Sequence, residues 1–210
     1  MFISFEGIDF CGKSTQVELL KKYLLNKNKR VEVIREPGGT ELSELVRSIL
    51  LDKKHFAMSI ETEIFLFSAS RAQLVREKIR PYLADGIYVI SDRFHDSTCA
   101  YQGYGRGIPL QSVEHINRLA IGNTIPDITF LIDIPVEVAH QRKAAKEENE
   151  LDRIETTKGN FFERVRNGYL ELARKEKRFK VIDGTKTELE IHKLIIEIIN
   201  YSEKGTIHEF

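Results

Sequence analysis

The sequence predicts an α/β fold, a doubly wound parallel sheet with helices on both faces. Three observations predict it. Short runs rich in β-branched and aromatic residues alternate along the chain with longer stretches of helical periodicity. Several of those runs are apolar at consecutive positions, as strands buried on both faces are. The first run leads directly into a glycine-rich loop that opens a helix.

The elements follow in order. Phe2–Phe5 is the first strand, and Gln16–Asn26 follows as a helix with Val17, Leu20 and Leu24 on one face. Val31–Ile34 is the second strand. Glu41–Leu51 is a helix carrying Leu42, Leu45, Val46 and Ile49, and Glu61–Leu83 a longer one carrying Ile64, Phe67, Ala72, Val75 and Ile79. Ile87–Ile90 is the third strand and runs into Asp92-Arg93. A helix over Leu110–Ile121 precedes a strand over Ile128–Ile132. Helices over Val136–Glu148 and Phe161–Lys177, a strand over Lys180–Ile182 and a helix over Leu189–Ser202 complete the pattern. Right-handed crossovers should join the parallel strands. No repeat or linker interrupts the 210 residues, so one domain over 1–210 is expected. A charged flap at about 142–154 and a frayed tail at about 203–210 are its least core-like parts.

Bulk features remove several function classes. The 32 Lys and Arg balance 32 Asp and Glu, which argues against a broad nucleic-acid surface. No apolar run reaches the roughly 18 residues of a membrane span. The N-terminus lacks the basic and small-residue features of a secretory signal. Cys11 and Cys99 form no disulfide framework and read as small semi-buried thiols. The six histidines lack zinc-site spacing. A reducing cytoplasm is the expected compartment.

The most specific local signal is Gly7-Ile8-Asp9-Phe10-Cys11-Gly12-Lys13-Ser14-Thr15, which matches GxxxxGK[ST] between a strand and a helix. Glycines let successive N–H groups turn toward a phosphate, and the helix adds its positive end. Lys13 reaches the outer phosphates, and the Ser14 hydroxyl suits Mg²⁺. The second glycine cluster, Gly103-Tyr104-Gly105-Arg106-Gly107, is not GxGxxG and reads as a surface loop between helices.

Other residues carry alternatives. Asp92 at the end of an apolar strand suits Mg²⁺, or is a loop carboxylate or helix cap. Arg93 points into the crevice at the end of the sheet, or forms a surface ion pair. Phe67 and Arg71 share a helical face at i, i+4, suiting a nucleobase or its phosphate, or a core ring beside a surface cation. Arg142 and Arg153 bracket a segment that is either a solvated loop or a cationic flap over phosphates.

Several blocks occur together and in order: Phe5-Glu6-Gly7-Ile8-Asp9, Gly12-Lys13-Ser14-Thr15, Arg35-Glu36-Pro37-Gly38-Gly39-Thr40, Ser91-Asp92-Arg93, Ala100-Tyr101-Gln102-Gly103, Pro126-Asp127 and Leu151-Asp152-Arg153-Ile154-Glu155. Through them the chain resembles the thymidylate kinase family over almost its whole length. The resemblance implies a P-loop kinase fold with a five-stranded parallel core and a mobile flap, working as a homodimer in bacteria. It implies transfer of the γ-phosphoryl of ATP to dTMP with Mg²⁺, giving dTDP and supplying dTTP for DNA synthesis. By the same resemblance, residues Gly7, Ile8, Asp9, Phe10, Cys11, Gly12, Lys13, Ser14 and Thr15 hold ATP, with Arg142 against adenine. Ser14 and Asp92 serve the metal. Lys13 and Arg93 stabilise the transferring group, Arg35 steers the acceptor phosphate beside Pro37, and Asp9 faces the 3′-hydroxyl. Phe67 stacks on thymine, Arg71 reaches its carbonyl, and Thr98 and Gln102 lie by the base. Tyr101 crowds the sugar 2′ position, and Arg153 closes over the phosphates from the flap. The phosphate loop has no arginine, which resembles the type that supplies it from the flap. Yet Arg142, Lys143, Lys146 and Arg153 are offset there by Glu147, Glu148, Glu150 and Asp152. Phe10 and Cys11 are bulkier than the small residues common in such loops.

Two other classes stay open at this point. One is another nucleotide or nucleoside kinase on the same fold. The other is a P-loop switch protein, although the guanine-reading NKxD is missing from the sequence.

Overall fold

The computed structural model describes residues 1–144, 151–157 and 159–205. Five parallel strands form one sheet in the order β2-β3-β1-β4-β5. They are β1 (Phe2–Glu6), β2 (Val31–Arg35), β3 (Tyr88–Asp92), β4 (Ile128–Asp133) and β5 (Phe179–Asp183). The central strand β1 is buried at every position, while β2 and β5 at the edges alternate with exposed residues. That is the burial expected of a sheet covered on both faces. After β3 the chain crosses β1 to begin the other half of the sheet, and ligands bind at the carboxyl ends near such a reversal. The register sets Arg35 level with Asp92 and Asp92 level with Phe5. Three chain segments distant in sequence therefore deliver their next residues to one edge.

Helices α1 (Lys13–Asn26), α2 (Glu41–Leu51), α3 (Ile60–Leu74) and α4 (Arg80–Ala84) lie close to the predicted spans. A wider π turn, Val75–Ile79, joins α3 to α4. Its cause is local: Pro81 has no N–H to return to the preceding turn, so the bonding pattern must shift there. α5 (His95–Thr98) continues into a second π segment, Cys99–Gly105. α6 (Leu110–Ile121), α7 (Val136–Lys143), α8 (Phe161–Lys175) and α9 (Glu188–Gly205) complete the helices. The end of the helix predicted to reach Glu148 falls outside the described residues, as do the centre of the flap and the last part of the tail.

The second glycine cluster is not the surface loop expected of it. Gly103 and Gly105 are buried in the π segment against α6 and α8. A Cβ on Gly105 would lie 2.7 Å from Phe161 and 2.8 Å from Val165. The glycine is there so that two helical segments can touch, a reason that local sequence does not display. Cys11 and Cys99 are both free and buried.

Candidate active site

The phosphate loop is shaped by backbone geometry. Gly7 has φ 140°, and a Cβ there would meet the Ile132 carbonyl oxygen at 2.5 Å. Gly12 caps α1 in the left-handed region, with no side chain bonded to the first amides of the helix. Those amides and the helix dipole make an anion site. Lys13 Nζ donates to the carbonyls of Gly7 at 3.2 Å and Ile8 at 3.0 Å. Ser14 Oγ donates to Asp92 Oδ2 at 2.6 Å. The end of β3 is thereby joined to the start of α1, as a shared metal site would require.

Arg93 follows Asp92 with φ 70°, a conformation that costs a non-glycine residue ~1–3 kcal/mol. The turn sends its guanidinium back toward the loop. Nη1 donates to the Gly7 carbonyl at 2.9 Å and Tyr169 Oη at 3.1 Å. Nη2 donates to Asp9 Oδ1 at 2.5 Å and Tyr101 Oη at 3.1 Å. Tyr101 Oη in turn donates to Asp9 Oδ2 at 2.8 Å. Burial alone would raise the Asp9 pKa, but the charges of Arg93 and Lys13 outweigh it and hold the carboxyl below its ordinary range. Beneath this set lies Glu6, fully buried, accepting from the Phe94 amide, Ser97 and Tyr169. Burial first, and then the nearby charge of Asp96, pushes its pKa up to about 7.

The REPGGT block acts as a single device. Arg35 closes β2 and pairs with Glu44 at 3.0 Å. Glu36 turns inward to Arg71 at 2.6 Å, both side chains almost fully buried. The Pro37 carbonyl accepts from Arg47, and Thr40 caps α2 by accepting from the Ser43 amide. Arg71 also donates to Thr98 at 2.7 Å, to Asn117 at 3.1 Å and to the Phe94 carbonyl at 3.2 Å. It is the wall of a pocket rather than a surface cation.

These residues enclose one cavity of about 600 Å³. Phe10, Gly12, Lys13, Ser14, Thr15 and Arg142 line it from the phosphate loop and α7. Pro37, Phe67, Arg71, Thr98 and Gln102 line it too, as do Asp9, Arg35, Asp92, Arg93 and Tyr101. Among the described residues, Lys13, Arg47 and Arg142 are not ion-paired; their polar contacts are backbone carbonyls and, for Lys13, the Cys11 sulfur. Cations without carboxylate partners around one cavity are suited to phosphates.

A family model described as thymidylate kinase matches residues 5–195. The chain belongs to the thymidylate kinase family. It is 52% identical to a thymidylate kinase of Thermosipho melanesiensis, over 89% of this chain and 90% of the relative. It is 46% identical to one of Thermoanaerobacter sp. (strain X514), over 94% and 96%. The crystal structure of thymidylate kinase from Ehrlichia chaffeensis matches with a TM-score of 0.76 and 38% identity, covering 95% of this chain and 98% of that one. The P-loop kinase fold expected of the sequence is therefore the observed one.

Most of the residues singled out by family resemblance meet at the cavity, but four do not line it. Gly7, Ile8 and Cys11 shape the loop from behind; Ile8 and Cys11 are part of the core. Arg153 lies elsewhere. Its Nη2 is 2.7 Å from Glu63 and its Nε donates to the Leu50 carbonyl at 2.7 Å, beside a separate cavity of about 260 Å³. The buried carboxylate of Glu63 and an unfilled helix-end carbonyl hold it away from the phosphate loop. Among the described residues, those of the flap that line the main cavity are Arg142, Asp152 and Ile154, with Glu155 next to them. Sequence reasoning also missed Arg47 and Glu36. The i, i+3 spacing of Glu44 and Arg47 on α2 was the one local hint, because it puts Arg47 on the helix face beside Arg35's partner.

Proposed function

We propose that this chain transfers the γ-phosphoryl group of ATP to dTMP, giving dTDP and ADP. The observation that carries this reading is one cavity lined both by the phosphate loop and by a ring and a guanidinium, Phe67 and Arg71. Phosphoryl transfer through a loose transition state asks a protein for positioning and charge stabilisation rather than a nucleophile. Lys13 and Arg93 supply charge at the transferring group. Arg35 and Arg47 take the acceptor phosphate, Phe67 stacks on the base and Arg71 donates to it. Asp9, held by Arg93 and Tyr101, orients the sugar, and the Tyr101 ring crowds a 2′-hydroxyl. Arg142, anchored on the carbonyls of Phe10 and Gly184, packs against the adenine.

Ser14 and Asp92, two oxygen donors 2.6 Å apart, fit Mg²⁺. Among the described residues no cluster of three or more His, Cys, Asp or Glu could hold a metal. The ion would then take its remaining ligands from phosphates and water and neutralise charge on the donor phosphates. Arg153 would join the reaction only by leaving Glu63, so the working cations are those already at the cavity.

The same reading makes the chain one kinase domain, working in the cytoplasm as a homodimer. Exposed Leu42, Leu45 and Ile49 on α2, Phe65 on α3 and Leu119 on α6 support the dimer, since α3 packs against both other helices. A monomer mass in light scattering would reject it.

The deciding assay couples ADP release to dTMP, dUMP, dCMP, dGMP and UMP in turn. Strongest turnover with dTMP is expected. Preference for a purine or a ribonucleotide would overturn the reading, as would ATP hydrolysis indifferent to any acceptor.

A further inference from the structure

We propose that Glu63 is a positioning residue that selects the acceptor base by fixing which end of the Gln102 amide faces the cavity. This rests on the dTMP reading above. Glu63, Phe67 and Arg71 stand at i, i+4 and i+8 on α3, so one helical stripe carries all three. Phe67 and Arg71 line the cavity directly. Glu63 is 2% exposed and is held by three side chains. Gln102 Nε2 donates to its Oε1 at 2.9 Å, and Arg106 Nε to the same oxygen at 3.1 Å. Arg106 Nη2 at 3.3 Å and Arg153 Nη2 at 2.7 Å lie on Oε2. Burial would raise the Glu63 pKa, but Gln102, Arg106 and Arg153 outweigh it and keep the carboxyl ionised.

An ionised carboxylate only accepts hydrogen bonds, so the NH₂ end of Gln102 must face it. Gln102 itself lines the main cavity beside Thr98 and Arg71. Its amide oxygen is then the end offered to a base. Thymine carries an N–H at ring position 3, whereas cytosine carries a lone pair there. An acceptor oxygen bonds the first and repels the second. An amide that could turn over would present either end and lose that distinction. Arg106 and Arg153 act by keeping Glu63 charged, which gives the family's flap arginine a task in this chain other than the phosphates.

The test is the isosteric Glu63→Gln, whose amide can donate as well as accept and so permits both Gln102 orientations. The readouts are kcat and KM for dTMP, the inhibition constant of dCMP, and the melting temperature. The expected result is a fall of about tenfold in the ratio of the dCMP inhibition constant to the dTMP KM, with little change in kcat. In a Gln102→Leu background, Glu63→Gln should leave that ratio unmoved. A constant ratio, or a loss confined to kcat or to stability, would overturn the proposal. Should Glu63→Gln not fold, Glu63→Asp withdraws the charge by one methylene and is read by the same two outcomes. If the unsubstituted protein does not use dTMP, the functional reading falls and this inference with it. If it does use dTMP and the ratio holds, only this inference falls.

Discussion

Lys13 illustrates how one side chain can brace its own loop and still keep an unpaired charge at the cavity. Its ammonium donates to the carbonyls of its own loop, Gly7 and Ile8, and has no carboxylate partner among the described residues. The charge is thus held in place but not neutralised. Lys13→Ala should lower kcat about 10²–10³-fold with a smaller change in the KM for ATP, because the lost charge matters most as the phosphoryl group moves. Steady-state kinetics check this, and a variant within a few-fold of normal turnover would remove the role. Phe67 makes a different prediction. Its ring is half-buried in the lining of the cavity, where it can stack on a base without touching the phosphates. Phe67→Ala should raise the KM for dTMP about tenfold, the worth of roughly 1–3 kcal/mol of base stacking, and leave kcat nearly intact. A loss confined to kcat would contradict a stacking role.

At the scale of elements, the π segment Cys99–Gly105 is the clearest case of packing overriding local sequence. Its glycines resemble those of a loop, yet Gly105 lies where Phe161 and Val165 of α8 leave no room for a methyl group. Tyr101 and Gln102 are carried on that segment, so its seat on α8 sets where both meet the cavity. Gly105→Ala should destabilise the fold by ~1–3 kcal/mol through overpacking. Urea denaturation should show a lower midpoint with an unchanged m-value; an unchanged midpoint would mean that α8 gives way without cost. The REPGGT turn is another such case. Its arginine, glutamate and threonine each serve a different neighbour, respectively Glu44, Arg71 and the first turn of α2.

The whole molecule carries a linkage between pH and stability. Burial raises Glu36 from 4.5 to about 7, despite the opposing pull of Arg71. Below pH 4.5 the folded and unfolded chains both hold that proton. Between pH 4.5 and about 7 the unfolded chain releases it and the folded chain keeps it. Stability from this group is therefore lost as pH rises through the window, and the penalty is constant above it. Glu36→Gln removes the titration while keeping the shape. Its melting temperature relative to the unsubstituted protein should be more favourable at pH 8 than at pH 5. A pH-independent difference would refute the raised pKa. Glu6, also raised to about 7 by burial, remains in both proteins, and its nearby charge adds to the rise at Glu36.

Much of this organisation was legible in the sequence alone. Apolar strand runs, helical spacing and the GxxxxGK[ST] loop are set by backbone chemistry within a few residues, so the order of elements and the strand–loop–helix form of that motif followed directly. The Phe67–Arg71 pair was legible for the same reason, being neighbours on one helix. What only the tertiary structure decided was where the charges end up. Arg71 is buried on Glu36 and Arg153 is held by Glu63, both partners distant in sequence. Arg47 reaches the cavity because α2 follows the Arg35 turn. Cationic side chains settle where a buried carboxyl group or an unfilled carbonyl offsets the loss of water. Sheet register and helix packing determine where those partners lie, and no local pattern records them.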